Sequence, residues 1–205
     1  MSFFNYICNM GFYLLKTDFK RIITTANLDG ITESDDVVWQ EQLPSSIEMA
    51  ASYIRFRYDT DKEFAPIETH VPADTYLTEA RVIDGTDLYF AIQDVPATTL
   101  LTNELFWTKA DSRNLAMVEV VVVLVMYMIY NRINGSEIPN WIQVLYDGGD
   151  SQQRGGKIGY LKDIRKGTVE INLALLPEAE DGTTQSGNNI ASGSAVGAVT
   201  RNTSI

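Results

Sequence analysis

The densest run of hydrophobic positions lies between Leu115 and Tyr130, where Glu119 is the one charged residue. A membrane-spanning helix needs about 20 apolar residues, and this run is shorter and interrupted by a carboxylate. A strand of this length would be exceptional, because strands usually contain about five or six residues. The pattern therefore predicts a long helix over residues 112–133, and no membrane span.

Polar positions along this helix do not form a wide solvent face, so it is expected to be buried on nearly all sides. A single chain of 205 residues with few other long helices is not expected to surround it, and neighbouring copies should cover part of it. Of two adjacent stripes, headed by Val121 and Val122, one should face the chain's own core and the other a neighbour. Glu119 needs a partner, expected to be a base of the next copy. Asp111 or Ser112 is expected to cap the first turn.

Helical spacing of apolar residues also extends over residues 16–58. Thr17 is the expected cap of a first helix in "LKTDFKRIITTANL". Ser45 or Ser46, with Glu48 behind it, gives "LPSSIEMAASYIRFRY" the pattern of a capping box. The polar segment between these two helices is expected to be a connector.

The pattern changes over residues 59–110, where "ARVIDGTDLYFAIQDVP" holds two β-rich runs joined across Asp84 and Gly85. This is a hairpin signal, and it predicts an inserted β-rich segment. The stretch "LYFAIQDVPATTLLTNELFW" resembles the aromatic motif of small carbohydrate-binding and phage tail modules. It leaves open an alternative function, a tail- or fibre-associated module that binds carbohydrate. The stacking side chains would be Tyr89, Phe90, Phe106 and Trp107.

Two shorter helices are expected after the long one. Pro139 and Trp141 begin the first, and "KIGYLKDIRKG" predicts a second that ends at Gly167. "DGGDSQQRGG" between them is expected to be a flexible joint, because it lacks the Lys-Ser or Lys-Thr of a phosphate loop. "TVEINL" would follow as a short strand or an extended exit.

These patterns predict a mainly α protein: a helical bundle with a small inserted β-hairpin segment and an extended C-terminal arm. The segments are an N-terminal apolar arm, a helical core in two pieces, the insert, and a Gly/Ser-rich arm that needs a partner to lie on. Their ranges are 1–15 for the first arm, 16–58 and 111–176 for the core, 59–110 for the insert and 177–205 for the last arm.

Composition limits the kinds of binding and catalytic sites that the chain can form. A net charge of −11 argues against a protein that grips nucleic acid by its phosphates. Cys8 is the single cysteine and His70 the single histidine, so neither a disulfide framework nor a His/Cys zinc site is expected. No nucleophile or acid–base spacing is recognisable. The sequence therefore predicts no enzyme activity, no cofactor and no metal.

One basic cluster stands out in this acidic chain, opposed only by Asp163. It could contact DNA or an acidic neighbouring subunit, or it could be a solvated helix face that pairs with the chain's own acids. Together with Glu119, these residues are the candidate subunit or channel contacts. The cluster consists of Arg154, Lys157, Lys162, Arg165 and Lys166.

Several segments carry a family resemblance through their order and spacing. They are "YLLKTDFKRII…LDGIT", "AASYIRFRYDTDKEF", "DSRNLAMVEVVVVLVMYMIYNRI" followed by "IPNWIQVLYD", and "GYLKDIRKGTVEINL". The chain thereby resembles the head-to-tail joining protein family of Mu-like prophages and their relatives in Bacteroides-type phages, including crAss-like ones. The resemblance covers residues 13–57 and 111–176, and it omits the insert and both terminal segments.

The resemblance implies a mostly helical adaptor that forms a dodecameric ring beneath the portal, within the virion at the head–tail junction. Assembly would occur in the host cytoplasm, next to the portal protein and a tail or second ring protein. Genomic DNA would pass through without sequence-specific binding, and a negative lumen would repel its phosphates. The resemblance implies no catalytic residues. The insert departs from the family pattern and could give this protein a different neighbour.

Overall fold

The computed structural model describes residues 12–133, 138–149 and 155–176. Among them 46% are helical and 12% extended, and a four-stranded mixed sheet is present. The fold is therefore α+β, and the prediction of a mainly α bundle is wrong. The predicted C-terminal arm, residues 177–205, and most of the N-terminal arm lie outside the described residues.

The first half of the helical body is built from short elements. Thr24 accepts a hydrogen bond from the backbone N–H of Asn27 at 3.2 Å and so caps a helix that begins inside the segment predicted as the first helix and continues into the predicted polar connector. The cap predicted at Thr17 is wrong, because Thr17 lies within the 3-10 helix, whose N-cap is Leu15. The capping box at Ser45 or Ser46 is also wrong, because the Ser46 hydroxyl donates to the Gln42 carbonyl. The elements are a 3-10 helix (Lys16–Arg21), α1 (Thr25–Thr32), α2 (Val37–Gln40), α3 (Leu43–Ile54) and α4 (Thr60–Glu63).

The long apolar helix is α5, Leu115–Ile133. Asn114 caps it, because its side-chain oxygen accepts from the N–H groups of Ala116 and Met117 at 3.0 and 3.2 Å. The expected caps Asp111 and Ser112 lie further upstream. The predicted stop signal, residues 134–135, lies outside the described residues.

The chain itself buries the middle of α5. Every residue from Val120 to Met126 is fully buried against the 3-10 helix, α2, α3 and the helices that follow. Val121 and Val122 are both inaccessible, so neither stripe is left for a neighbouring copy. The expectation that other copies must cover this helix is therefore wrong. By length and composition α5 is the one described helix that could cross a membrane, and its burial is that of a core helix.

Two further helices, α6 (Asn140–Asp147) and α7 (Gly156–Lys166), pack on each other and on α5 and α3, respectively. Gly167 ends α7 in the left-handed conformation with φ +74°, as predicted. The pair Gly155 and Gly156 has a packing role beyond that of a joint. A Cβ on either glycine would lie 2.5 Å from a carbonyl oxygen near the end of α6.

The insert forms a sheet of four strands, β1 (Ile67–Thr69), β2 (Arg81–Asp84), β3 (Asp87–Ala91) and β4 (Trp107–Thr108). They lie in the order β1-β2-β3-β4, with β1 parallel to β2 and the other pairs antiparallel. The predicted hairpin is confirmed: Asp84 pairs with Asp87 across a two-residue turn, and Gly85 has φ +60° there.

The described residues form two hydrophobic clusters. The larger surrounds α5 and includes Tyr13 and Leu14, so this end of the predicted N-terminal arm packs on the chain's own core. The smaller lies within the insert around Val82 and Trp107. Residues 168–174 leave α7 without forming a strand, and Leu175 pairs with Tyr58 through an isolated bridge.

Candidate functional site

The predicted basic cluster lies on α7, and its members have different environments. Arg154 lies outside the described residues. Lys157 faces inward and pairs with Glu119 of α5, with Nζ to Oε1 at 2.8 Å. The base expected to come from a neighbouring copy is thus Lys157 of the same chain, and that prediction is wrong. Two of the candidate contact residues, Glu119 and Lys157, therefore form an ion pair with each other.

The remaining three cations form one outward face of α7. Ile158, Leu161 and Ile164 form the buried stripe of this helix. Lys162, Arg165 and Lys166 are exposed. Arg165 and Lys166 lie three and four residues after Lys162, which places them on one side of the helix. We call these three residues the basic face.

A second polar feature, which the sequence did not reveal, joins the insert to the helical body. The buried guanidinium of Arg113 donates to the Asp18 carboxylate at 2.7 and 3.2 Å and to Asp111 at 2.7 Å. It also donates to the carbonyl of Tyr13 at 2.7 Å. Burial opposes the charge of Arg113, but the hydrogen bonds that it donates to the two carboxylates raise its pKa overall.

Glu63 is the buried acid of this junction. The Tyr13 hydroxyl donates to its Oε1 at 2.8 Å, and the Asn114 N–H donates to the same atom at 3.1 Å. Burial raises the pKa of Glu63, although both hydrogen bonds and the nearby Arg81 and Arg113 act in the other direction. The pKa of Tyr13 is raised by burial and by the adjacent carboxylate.

Arg81 connects the sheet to the helical body through hydrogen bonds. It begins β2, donates to the carbonyl of Glu63 at 2.6 Å, and donates to the Ser112 hydroxyl at 3.1 Å. Burial lowers its pKa. A cavity of about 330 Å³ lies beside it, lined by acids and bases together with the extended chain at residues 172–174. Because its charges are mutually paired, this junction acts as a structural connection between the two clusters.

The aromatic residues proposed for sugar stacking do not form an open platform. Trp107 is 2% exposed and meets the ring of Tyr76 edge-on at 5.4 Å. Tyr89 and Phe106 are half-buried and pack on the same small cluster. Phe90 is also half-buried and lines the polar cavity.

Within the described ranges there is no group of three or more His, Cys, Asp or Glu residues that could hold a metal ion. Comparison with known proteins adds no relative: no family, no curated protein and no solved structure matches this chain.

Proposed function

We propose that this protein is a structural component of a tailed-phage virion, a connector subunit at the head–tail junction. Copies of the chain form a dodecameric ring that docks under the portal protein and contacts a tail or second ring protein. The ring assembles in the host cytoplasm and contributes to the DNA channel. It has no catalytic role, no cofactor and no membrane partner.

The observation that carries this proposal is the agreement between the resembling segments and the larger hydrophobic cluster. The segments that resemble the joining family cover residues 13–57 and 111–176. The cluster around α5 draws its buried residues from these two ranges, with Tyr58 and Phe64 as the two additions. The insert has its own small cluster. The parts that resemble the family thus form one packed body, as a shared adaptor domain requires.

Charge supports the passage of DNA without tight binding. The net charge of −11 repels phosphates, and the basic face supplies three cations against that background. A protein that holds DNA firmly presents a much larger basic surface. The carbohydrate-binding alternative has weaker support, because one of its four stacking residues, Trp107, is buried and the other three are half-buried.

The proposal is tested by the mass of the purified full-length chain in solution. Size-exclusion chromatography with light scattering is expected to give a single assembly of many copies. The same sample should leave linear duplex DNA unretarded in a mobility assay at moderate salt. A strictly monomeric chain would contradict the ring. Strong retention of DNA that weakens steeply with salt would contradict the passive channel.

A further inference from the structure

The basic face of α7 lacks partners within its own chain. Lys162, Arg165 and Lys166 are exposed, and none forms an ion pair with any residue in the ranges 12–133, 138–149 and 155–176. The sequence also left open that the basic cluster pairs with acids of its own chain. Among the described members of the cluster, Lys157 alone does so, with Glu119. An unpaired group of cations in a chain with a net charge of −11 is a surface suited to an acidic partner.

Helix stability does not account for this arrangement. Cations in the last turn favour the C-terminal end of a helix dipole, which explains Arg165 and Lys166. Lys162 lies a full turn earlier, and like charges four residues apart disfavour the helix. Arg57 lies nearby, since a Cβ on Gly167 would lie 3.5 Å from its Nη1, but its charge is paired with Glu170 at 3.1 Å.

A complementary acidic region occurs in the same chain. Residues 22–54 contain no lysine or arginine. Most of their acids are already paired: Lys16 contacts Asp29 and Asp36 at 2.8 Å each. Arg132 pairs with Glu41, and Arg55 pairs with Glu48. Two exposed acids of this region have no ion pair among the described residues, namely Glu33 and Asp35.

Glu33 and Asp35 flank Ser34 in the turn between α1 and α2, and we call these three residues the acidic turn. The turn has a defined conformation: Glu33 and Ser34 have φ values of +54° and +62°, and the Ser34 N–H donates to the Asp29 carbonyl at 2.8 Å. Asp35 accepts from the N–H of Val37 at 2.9 Å. Both carboxylates are therefore presented to solvent from an ordered backbone.

We propose that the basic face of one copy binds the acidic turn of the next copy. The proposal rests on the ring described above and names the contact that would build it. Two different surfaces of one chain that fit each other form a heterologous interface, and repetition of such an interface closes a ring when the rotation permits. Duplex DNA is the other polyanion that a basic face could take, and the acidic chain as a whole repels it.

Charge reversal in the full-length chain tests this contact. In Lys162→Glu with Lys166→Glu the basic face becomes acidic like the acidic turn. In Glu33→Lys with Asp35→Lys the acidic turn becomes basic like the basic face, so in both variants the two surfaces repel. Each double variant should lower the association constant, measured by sedimentation velocity, by at least about tenfold. The quadruple variant, with both surfaces reversed, should assemble again. An equimolar mixture of the two double variants should also assemble, with alternating subunits.

Lys20→Glu with Arg21→Glu is the matched control, since both residues are exposed and the change in charge equals that of the first double variant. It should retain assembly within about threefold. Circular dichroism should give the wild-type spectrum for every variant. If a reversal unfolds the chain, Lys162→Gln with Lys166→Gln replaces it and should still weaken assembly.

The outcomes separate the interface from the ring. If the wild type assembles and the reversals leave its association constant unchanged, this interface is wrong and the ring stands. Loss of assembly in the control to the same degree would overturn the interface as well. Retention of duplex DNA by the wild type that Lys162→Glu with Lys166→Glu abolishes, with assembly intact, would assign the basic face to DNA. A wild type that stays monomeric overturns both proposals.

Discussion

Glu63 is a buried residue whose hydrogen bonds could not be predicted from its position in the sequence. Its partners are Tyr13, Asn114 and, through its backbone carbonyl, Arg81. These residues are far apart in the sequence, and no spacing rule connects them. Glu63 lies in a polar segment beside Asp61 and Lys62, so the sequence alone did not indicate that its side chain is buried.

The raised pKa of Glu63 predicts a specific dependence of stability on pH. The folded state holds the proton more tightly, so this residue stabilises the fold below its ordinary pKa of about 4.3. That contribution is lost as pH rises through the raised pKa. Glu63→Gln keeps the acceptor oxygen and removes the titration. The difference in unfolding free energy, wild type minus variant, should therefore fall across this window in urea titrations.

Glu170→Gln is the control for that experiment, because Glu170 is exposed and pairs with Arg57 at the surface. Its difference from wild type should change little over the same pH range. A difference that grows with pH for Glu63→Gln would mean that Arg81 and Arg113 dominate, and would contradict the assigned direction.

Glu33 has a strained backbone conformation, with φ +54°, and it also supplies a carboxylate to the acidic turn that we propose as a contact between copies. A non-glycine residue in the left-handed region costs about 1–2 kcal/mol, and part of that is recovered when glycine takes its place. Glu33→Gly should therefore raise the free energy of unfolding by up to about 1 kcal/mol in urea titrations. Glu33→Ala keeps the strain and should give no such gain. Both variants lose the carboxylate, so both should weaken association between copies.

At the scale of elements, α5 was the most predictable part of the chain. Its uninterrupted apolar run indicated a long buried helix, and the structure confirms this from Leu115 to Ile133. Its surroundings were not predictable, because burial depends on how many short helices pack around it. Thr24 caps one of those helices, α1, which runs from the segment predicted as the first helix into the segment predicted as a polar connector.

The burial of α5 predicts the effect of charge within it. Val121→Asp and Val122→Asp should each cost about 3–5 kcal/mol and unfold the chain, because each places an unpaired carboxylate among fully buried side chains. Circular dichroism and size-exclusion chromatography measure this. Leu115→Asp is the control: Leu115 is 49% exposed in the first turn, where a carboxylate is tolerated. A folded, monomeric Val121→Asp or Val122→Asp would show that the helix is covered by other copies.

Short strands explain why the fold class was mistaken. The hairpin of β2 and β3 was recognisable from its β-rich runs and the turn at Gly85. β1 has three residues and β4 has two, which is too few for a periodic pattern. β1 also pairs in parallel with β2 through a connection without a helix, an arrangement that local sequence does not indicate.

At the scale of the whole molecule, the fold separates a helical body from a small β unit. Each has its own hydrophobic cluster, and Arg81, Glu63 and Arg113 join them through buried hydrogen bonds. The helical body carries the basic face and the acidic turn, two surfaces of opposite charge. The β unit leaves Leu77, Leu100 and Leu105 exposed in its loops. The complementary charges of the basic face and the acidic turn are the reason that we place the proposed contacts between copies on the helical body.

We propose that copies of this chain close into a ring, and negative-stain electron microscopy of the purified full-length protein tests this, with class averages taken along the symmetry axis. Closed rings of uniform size with an open centre are expected, because a heterologous interface that closes gives one copy number. Particles that remain single subunits, form two-fold dimers or grow into open filaments would contradict it.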